Sequence, residues 1–405
     1  MTPGRGIMKV EEGDMNEPQL CAWCGSPFEP GRSTQKYCPG GKCSQDASNA
    51  RRYGRTKPHA TEPQEDTLAQ EIADKAKEFL ETKVPLPTVP ELLRATRIEE
   101  LDLHEQEAVG LFSDYHYCEV IDPRATGGIG LYNEEVARER LACWRDGTLR
   151  FTQMMQCLMP VKHYHLFALG DEFAGHGKMF RSQAFKLSAT ILFQVVGFVD
   201  DMSNVLVDLS QRYERITVYK VYGNHGRIGQ AWNDLPQWDN LELLAWSMVR
   251  DRVRAAGLGG DRIEFHITVS PFILAEIMGK TFLGAHGETT KPWSPYAASG
   301  VYNAKLRTNA IIGEVINYWV LGHHHVPYHM ERELEGQIRG NGSFSGPGDL
   351  AVNRMREANL PSQELFFVHP KYGITHPHRI HLATVEDIRN VHVIGRTRGK
   401  NPAEI

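Results

Sequence analysis

Five short apolar runs set the pattern of this chain, and each stops at a residue able to bind a cation or move a proton. Ala108 to Ser113 runs into Asp114-Tyr115-His116, Tyr164 to Leu169 into Gly170-Asp171-Glu172, and Ile216 to Tyr222 into Gly223-Asn224-His225. Lys280 to Gly284 precedes Ala285-His286-Gly287, and Ile316 to Leu321 precedes Gly322-His323-His324-His325. Short apolar runs rich in β-branched and aromatic residues and bounded by Gly, Asp or Asn read as buried strands. Between them the pattern changes to helical spacing. Candidate helices are Glu134 to Trp144, the stretch Phe180 to Tyr213 with an expected weak point at Gly197, and Leu241 to Ala256 closed by Gly257. Strands that alternate with helices and deliver side chains at their carboxyl ends predict an α/β fold with a site along one end of a sheet.

Outside this block the pattern is less regular. Tyr328 to Ile338 reads as a strand leading into Arg339-Gly340-Asn341-Gly342-Ser343; Gly340 and Gly342 begin a G-x-G-x-x-G pattern, but position 345 is Ser and no helix opens there, which excludes a dinucleotide fingerprint. Short strands at Glu364 to Val368, Gly373 to Thr375 and Arg379 to Ala383 are expected to complete a second sheet. Upstream, Thr56 to Glu65 is polar and Pro-containing and reads as a linker. Leu68, Ile72, Ala76, Phe79 and Leu80 then recur at helical spacing to about Thr82, predicting a docking helix before an extended, three-proline stretch from Val84 to Pro90. The expected division is a module over 1–60, a linker and docking helix over 61–100, a catalytic domain over 101–390 and a basic tail over 391–405, carrying Arg396, Arg398 and Lys400.

At 405 residues the chain exceeds what one core usually holds, and its 41% apolar fraction, 23% charged fraction and net charge of -5 are ordinary for a soluble protein. Overall charge therefore names no partner. Met1 to Glu17 has no apolar core and does not read as a targeting peptide, and the longest apolar stretch, Ile191 to Val199, is too short to span a bilayer. A cytoplasmic protein without membrane association is expected.

Cysteine usage changes the picture at the N-terminus. Cys21, Cys24, Cys38 and Cys43 form C-x2-C-x13-C-x4-C, a spacing that suits one structural Zn2+ and a segment too small to hold a core of its own. Seven Lys or Arg lie between Gly31 and Ala60 against the single acid Asp46, with Tyr37 and Tyr53 interleaved. That is the composition of a surface for phosphates and bases, for which Arg51 and Arg52 are candidates; a solvated basic face without a partner is the alternative. Ala22-Trp23, Phe28, Tyr37-Cys38 and Arg51-Arg52 resemble the small zinc-finger modules attached to nucleic-acid enzymes, although the spacing before Cys43 is a residue or so wide. Cys118, Cys143 and Cys157 follow no ligand spacing and read as small buried apolar groups.

The strand-end loops together offer Asp114, His116, Asp171, Asn224, His286, His323 and His325. Carboxylate, imidazole and amide oxygen without thiolate suit Mn2+, Fe or Zn2+, with Mn2+ expected. Seven donors are too many for one ion; with one bridging carboxylate they divide between two, which is what in-line attack on phosphorus by an activated water requires. His324 faces the other way in strand geometry and stays outside this set. His163 and His165 lie inside an apolar strand and are expected to be hydrogen-bonded core groups, and His369, His376, His378 and His381 fall in an alternating strand region after the motifs end.

The ordered set D-x-H, GD, GNH, a lone His before Gly, and GHxH resembles the calcineurin-like metallophosphoesterases and covers Asp114 to His325 in order. The resemblance implies a sandwich of two mixed β-sheets flanked by helices. It implies one ion on Asp114, His116, Asp171 and His325, and a second on Asp171, Asn224, His286 and His323. His225 would protonate the leaving oxygen or stabilise the transition state. This chain departs from the pattern twice: Gly226-Arg227 stands where an acid follows GNH, so a carboxylate to orient His225 has to come from elsewhere or is missing, and Ala174 replaces a second acid after Gly170-Asp171. Arg227 is a candidate phosphate contact, with a plain surface arginine as the alternative. Asn341-Gly342-Ser343-Phe344, Phe367-Val368-His369-Pro370 and the stretch to Gly373-Ile374 look similar to phage-type members, which would place the protein in a host cytoplasm, and are loosely similar to double-strand-break-repair nucleases. A DNA exonuclease or endonuclease is therefore the first expectation, with an ATPase partner subunit or a homodimer implied by the same likeness. A phosphatase or phosphodiesterase for nucleotides, cyclic nucleotides or phosphoproteins is the second, and a non-catalytic DNA-binding protein the third.

Overall fold

The computed structural model describes residues 19–29, 36–39, 42–53, 74–75, 77–78, 104–177, 183–229, 236–290, 297–333, 336–355 and 358–389. The chain falls into two compact units, Met1–Thr96 and Arg97–Ile405. In the first, β1 (Gln19–Leu20) pairs antiparallel with β2 (Pro27–Phe28) across a turn that carries Cys21 and Cys24, and α1 (Lys42–Tyr53) follows. Among the described residues of this unit, Cys21, Phe28, Ala47 and Ala50 are buried. Residues 74, 75, 77 and 78 are helical; the apolar positions of the expected docking helix, the stretch Val84 to Pro90 and the basic tail beyond Arg389 lie outside the described residues.

The second unit is a four-layer α/β sandwich. Its first sheet runs β13-β12-β3-β4-β5-β6, in which β3 (Glu107–Phe112), β4 (His163–Ala168), β5 (Arg215–Lys220) and β6 (Ile263–Ile267) are parallel. Its second sheet runs β10-β11-β9-β8-β7 and contains β7 (Phe272–Ile277), β8 (Lys280–Ala285), β9 (Tyr318–Leu321), β10 (Tyr328–Glu333) and β11 (Gly336–Gly340). Alternation along the central strands divides the layers. Ala108, Phe112, Tyr164, Leu166, Ile216 and Val218 face α2 (Glu134–Gln156), α3 (Ile191–Ser210) and α4 (Leu241–Ala255). Val109, Leu111, Phe167, Leu169 and Val221 face the second sheet, where Ile277, Phe282 and Val320 meet them. The outer side of that sheet packs Leu283, Trp319 and Leu321 around Val301 of α5 (Ala297–Ile312).

Four departures from the sequence reading have identifiable causes. The helix expected to stop near Trp144 continues to Gln156, because Thr148, Thr152 and Met155 are buried and a Cβ on Gly147 would stand 2.6 Å from Ile380: the glycine permits close approach and does not end the helix. Gly197 does not weaken α3, since it lies against the Tyr117 ring, where a Cβ would stand 2.6 Å from Cε1. The strands after residue 360 do not complete the second sheet. β12 (Ser362–His369) pairs antiparallel with β3 and carries β13 (Gly373–His381) on its other edge, so both extend the first sheet, and α6 (Val385–Ile388) follows. The span Tyr328 to Ile338 is a hairpin of β10 and β11, not one strand.

Candidate metal centre

Parallel β3, β4 and β5 end side by side, and the loops beyond them meet the loops after β8 and β9 at the same end of the sandwich. Backbone hydrogen bonds lock them: Asp114 and His116 donate their N–H groups to Gly170 and Asp171 carbonyls, and Phe344 donates to Asp114. Space there is tight enough to exclude side chains. A Cβ on Gly223 would collide with Asp171 Oδ1, and Gly170, at φ +98, sits against the Gly223 backbone. Asp114, His116, Asp171, His323 and His325 all adopt φ between +45 and +68, the left-handed region that ordinary residues avoid. Such conformations cost ~1–3 kcal/mol each and persist where surrounding structure enforces them, characteristically at functional sites.

These loops gather the candidate donors into two groups. Asp114 Oδ1 lies 3.3 Å from His325 Nε2 and 3.9 Å from His116 Nε2, and the two imidazole nitrogens are 3.1 Å apart. Asp171 Oδ2 lies 3.2 Å from His286 Nε2, which is 2.8 Å from Asn224 Oδ1 and 3.1 Å from His323 Nδ1. His116 and His225 also approach Asp171, so this carboxylate stands between the groups. Asp114, His116, Asp171, Asn224 and His286 are buried, the two carboxylates almost fully, while His323 and His325 keep some exposure.

Two such carboxylates require positive charge. Burial alone would raise the Asp114 and Asp171 carboxyls, yet the neighbouring imidazoles, His325 at Asp114 and His286 at Asp171, hold both below the usual carboxylate range. In return His286 is raised to about 10 against its burial, chiefly by Asp171, while burial and the charge of His286 lower His323 to about 3. A divalent ion supplies that charge where a proton otherwise must, and the oxygen and nitrogen donors suit a hard or borderline ion. Outer partners fix the ligands: His286 Nδ1 donates to the Leu169 carbonyl at 2.8 Å, and His323 N–H donates to the Asp114 carboxylate at 3.0 and 3.1 Å. The donors thus form two groups suited to divalent ions, Asp114, His116 and His325 in one and Asp171, His286 and His323 in the other, with Asn224 beside His286 and His116 near Asp171.

A carboxylate that the sequence reading did not find stands beside Gly226, and it holds the metal-bearing loops through their backbone. Glu242, in the first turn of α4 behind the Asn240 N-cap, accepts the Asp171 N–H at 3.1 Å, the Gly223 N–H at 2.7 Å and Lys220 Nζ at 3.1 Å. A Cβ on Gly226 would collide with Asn240 Oδ1 and stand 2.5 Å from Glu242 Cγ, so the glycine after Asn224-His225 leaves room for a carboxylate arriving from the helix. Lys220 also pairs with Glu172, which accepts from Trp246 Nε1 at 2.9 Å; all three charged side chains are fully buried. Gly226 was the signal for this network, but locating its filler requires the fold. Ala174 contributes through its backbone: His225 Nδ1 lies 2.9 Å from the Ala174 carbonyl, leaving Nε2 toward Asp171.

The other candidates are placed as follows. Arg227 is buried in a bidentate pair with Glu288, Nη1 to Oε1 at 3.0 Å, which replaces the expected phosphate contact because its guanidinium fork is already filled by a carboxylate. His324 turns away to the Thr290 carbonyl at 2.9 Å and the Tyr328 hydroxyl at 3.1 Å. His378 stacks on Phe151 and His369 Nδ1 accepts backbone N–H groups from Lys371 and Tyr372. Cys118 is buried, whereas Cys143 and Cys157 are exposed, contrary to the reading of all three as buried, because both face outward at the end or along the solvent side of α2.

Among solved structures, the chain is similar to Vps29 from Entamoeba histolytica in complex with zinc, at 10% identity and TM-score 0.29 over 68% of this chain and 99% of that one. A dimetal phosphatase from Danio rerio is similar at 12% identity and TM-score 0.30, covering 68% of this chain and 99% of that one. A predicted phosphoesterase from Streptococcus pneumoniae gives 12% identity and TM-score 0.25 over 68% and 98%. No family model and no curated protein matches the chain. These likenesses are slight, and the functional reading stands on the site's own residues.

In the N-terminal unit the four thiols of Cys21, Cys24, Cys38 and Cys43 lie within 4.8 Å of one another, and Cys24 Sγ to Cys38 Sγ is 3.6 Å. Sulfurs around a tetrahedral Zn2+ are spaced by roughly 3.8 Å. Backbone N–H groups of Cys24 and Trp23 outweigh burial and bring the Cys21 thiol to about 6, while the facing sulfurs of Cys21 and Cys24 push Cys38 up to about 12. One zinc ion relieves that crowding and suits the set. Arg51 Nη2 donates to the Tyr37 hydroxyl at 3.0 Å on the exposed side of α1; the side chain of Arg52 lies outside the described residues.

Proposed function

We propose that this protein is a two-metal phosphodiesterase that hydrolyses nucleic acid, DNA in particular. The observation that carries the phosphoesterase reading is the pair of donor groups, Asp114-His116-His325 and Asp171-His286-His323, brought together where His116 approaches Asp171, with five of these residues held in a left-handed backbone. Two divalent ions, when bound, supply the charge that acidifies a water and neutralises phosphoryl oxygens. Asp171 is held for a bridging role by its own backbone N–H on Glu242 and by the His225 N–H on Oδ1 at 2.9 Å. His225 keeps Nδ1–H on the Ala174 carbonyl and presents Nε2 beside the donor groups, with its side chain still partly exposed. That is the position for handing a proton to a leaving oxygen. Arg227 holds Glu288 at the rim and leaves the substrate to other contacts.

The nucleic-acid reading is supported by the four-cysteine module and the basic helix α1, whose exposed Arg51 meets the Tyr37 hydroxyl of the preceding loop. DNA processing, recombination or repair is the setting that the phage-type resemblance implies. The test compares the full chain with a variant lacking residues 1–60 on linear DNA and on bis-p-nitrophenyl phosphate in Mn2+. The proposal expects both substrates to be cleaved, with the truncation weakening DNA binding and flattening its salt dependence but leaving the small ester unaffected. Cleavage of the small ester alone by the full chain would overturn the nuclease reading and favour a nucleotide or phosphoprotein substrate.

A further inference from the structure

A second cluster of histidines lies at the far end of the same strands and takes no part in the candidate centre. Glu107 opens β3, and His163 and His165 alternate along β4 beside it, all facing the second sheet. Glu107 Oε1 lies 3.3 Å from His163 Nδ1 and Oε2 lies 2.9 Å from His165 Nε2, while the two rings are 3.8 Å apart by centroid. The expectation of hydrogen-bonded core histidines describes their outer nitrogens well. His163 Nε2 is 2.8 Å from Thr217 Oγ1 and His165 Nδ1 is 3.3 Å from the Tyr219 hydroxyl. It does not account for why the two inner nitrogens converge on one carboxylate.

We propose that Glu107, His163 and His165 form a further divalent-cation site, for Zn2+ or an ion of similar preference, at the end of the sheet opposite the candidate metal centre. Three ligand atoms around one such ion stand about 3 to 3.5 Å apart, the separation found here between carboxylate and each imidazole. The ligand set of two imidazoles and one carboxylate binds borderline ions and leaves positions for water. The outer nitrogens each face a hydroxyl, an arrangement that fixes ring orientation and tautomer as outer partners of metal-bound histidines do. His165 is buried, whereas Glu107 and His163 keep side-chain exposures of 21% and 16%, so an ion can enter from solvent. The nearby cation Arg215 is paired with Glu264 at 2.6 Å, which also binds His266 at 3.1 Å, so its charge is compensated. Glu107 and Asp114 stand seven positions apart along β3 and the loop beyond it, ~23 Å of extended chain, so the site is separate from the centre and would pin β3 to β4.

The test is a zinc count on the full chain after equilibration with Zn2+ and dialysis. The site predicts that the double variant His163→Gln, His165→Gln retains one ion fewer per chain than the native protein; equal counts would overturn it. Glu107→Gln, which preserves shape, gives the same comparison if the double variant does not fold. Anomalous diffraction at the zinc edge decides independently: a peak among the three side chains supports the site, and peaks at the cysteine and Asp171 groups with none at Glu107 refute it.

Discussion

Changing Glu242 to Gln should loosen two metal-bearing loops at once. One buried carboxylate holds the Asp171 N–H, the Gly223 N–H and Lys220 Nζ, and an amide has only one oxygen with which to accept. At least one of these donors must then face an NH2 group. An unsatisfied buried donor costs ~1–3 kcal/mol, and breaking a buried ion pair costs ~3–5 kcal/mol; Glu172 remains as a partner for Lys220, so the lower part of the combined range applies. A loss of about 3 kcal/mol is expected, a large share of the ~5–15 kcal/mol that holds a typical domain. Because Asp171 and Asn224 sit on the released segments, Mn2+ affinity should fall ~10–100-fold as well. Urea unfolding of metal-free protein measures the first effect and calorimetric Mn2+ titration the second. Glu172→Gln is the control: burial first, and then the charge of Glu242, push the Glu172 carboxyl above the ordinary range, and the one oxygen that accepts from Lys220 and Trp246 has an equivalent in an amide. That substitution should cost less than ~1 kcal/mol. A Glu242→Gln protein with unchanged stability and Mn2+ affinity would refute the reasoning, as would a Glu172→Gln protein as damaged as Glu242→Gln.

His225→Ala should lower turnover ~10²–10⁴-fold while both ions remain bound; loss of an ion, counted by mass spectrometry, would make His225 a ligand. Gly223→Ala should cripple metal binding, because its Cβ would collide with Asp171 Oδ1, and calorimetric Mn2+ titration would show it. Cys38→Ser should release zinc and unfold the segment around Gln19 to Tyr53 while the Arg97–Ile405 unit keeps its melting transition, a separation that calorimetry resolves. Burial would raise the Glu107 carboxyl, but hydrogen bonds from His163 and His165 outweigh it and bring it to about 2. Its folded value is thus depressed, so in chelator its contribution, ~1 kcal/mol after solvent screening, is present above an unfolded value of about 4.3 and fades as pH falls toward 2. The stability gap between native protein and Glu107→Gln should narrow over that window in urea titrations.

The strand-end loops were legible because each combines two local signals, an apolar run and a polar stop held by glycine. The runs are apolar on both faces because β3, β4 and β5 lie between helices on one side and the second sheet on the other, so the sequence marks them as buried without telling the faces apart. Chain order cannot show pairing, however. β12 reads as an ordinary apolar run, and only its antiparallel register with β3, Leu365 beside Gly110, assigns it to the first sheet. The helix end expected near Trp144 and the weak point expected at Gly197 were misjudged because a glycine that weakens a helix and one that admits a neighbouring side chain, as Gly147 and Gly197 do, look alike in sequence. Glu242 was hidden for a related reason: it lies 71 residues from Asp171, and nothing local marks a carboxylate that acts through backbone N–H groups. Arg227 seemed available until the fold brought Glu288 against it.

Stepwise return of Mn2+ to metal-stripped protein, with bound ions counted while bis-p-nitrophenyl phosphate hydrolysis is followed, tests the two-ion account most directly. The account predicts that turnover rises until both donor groups are filled and that Asp171→Asn, folded as the native protein is, shows none. Full turnover with a single ion at the centre, or native turnover in Asp171→Asn, would contradict it.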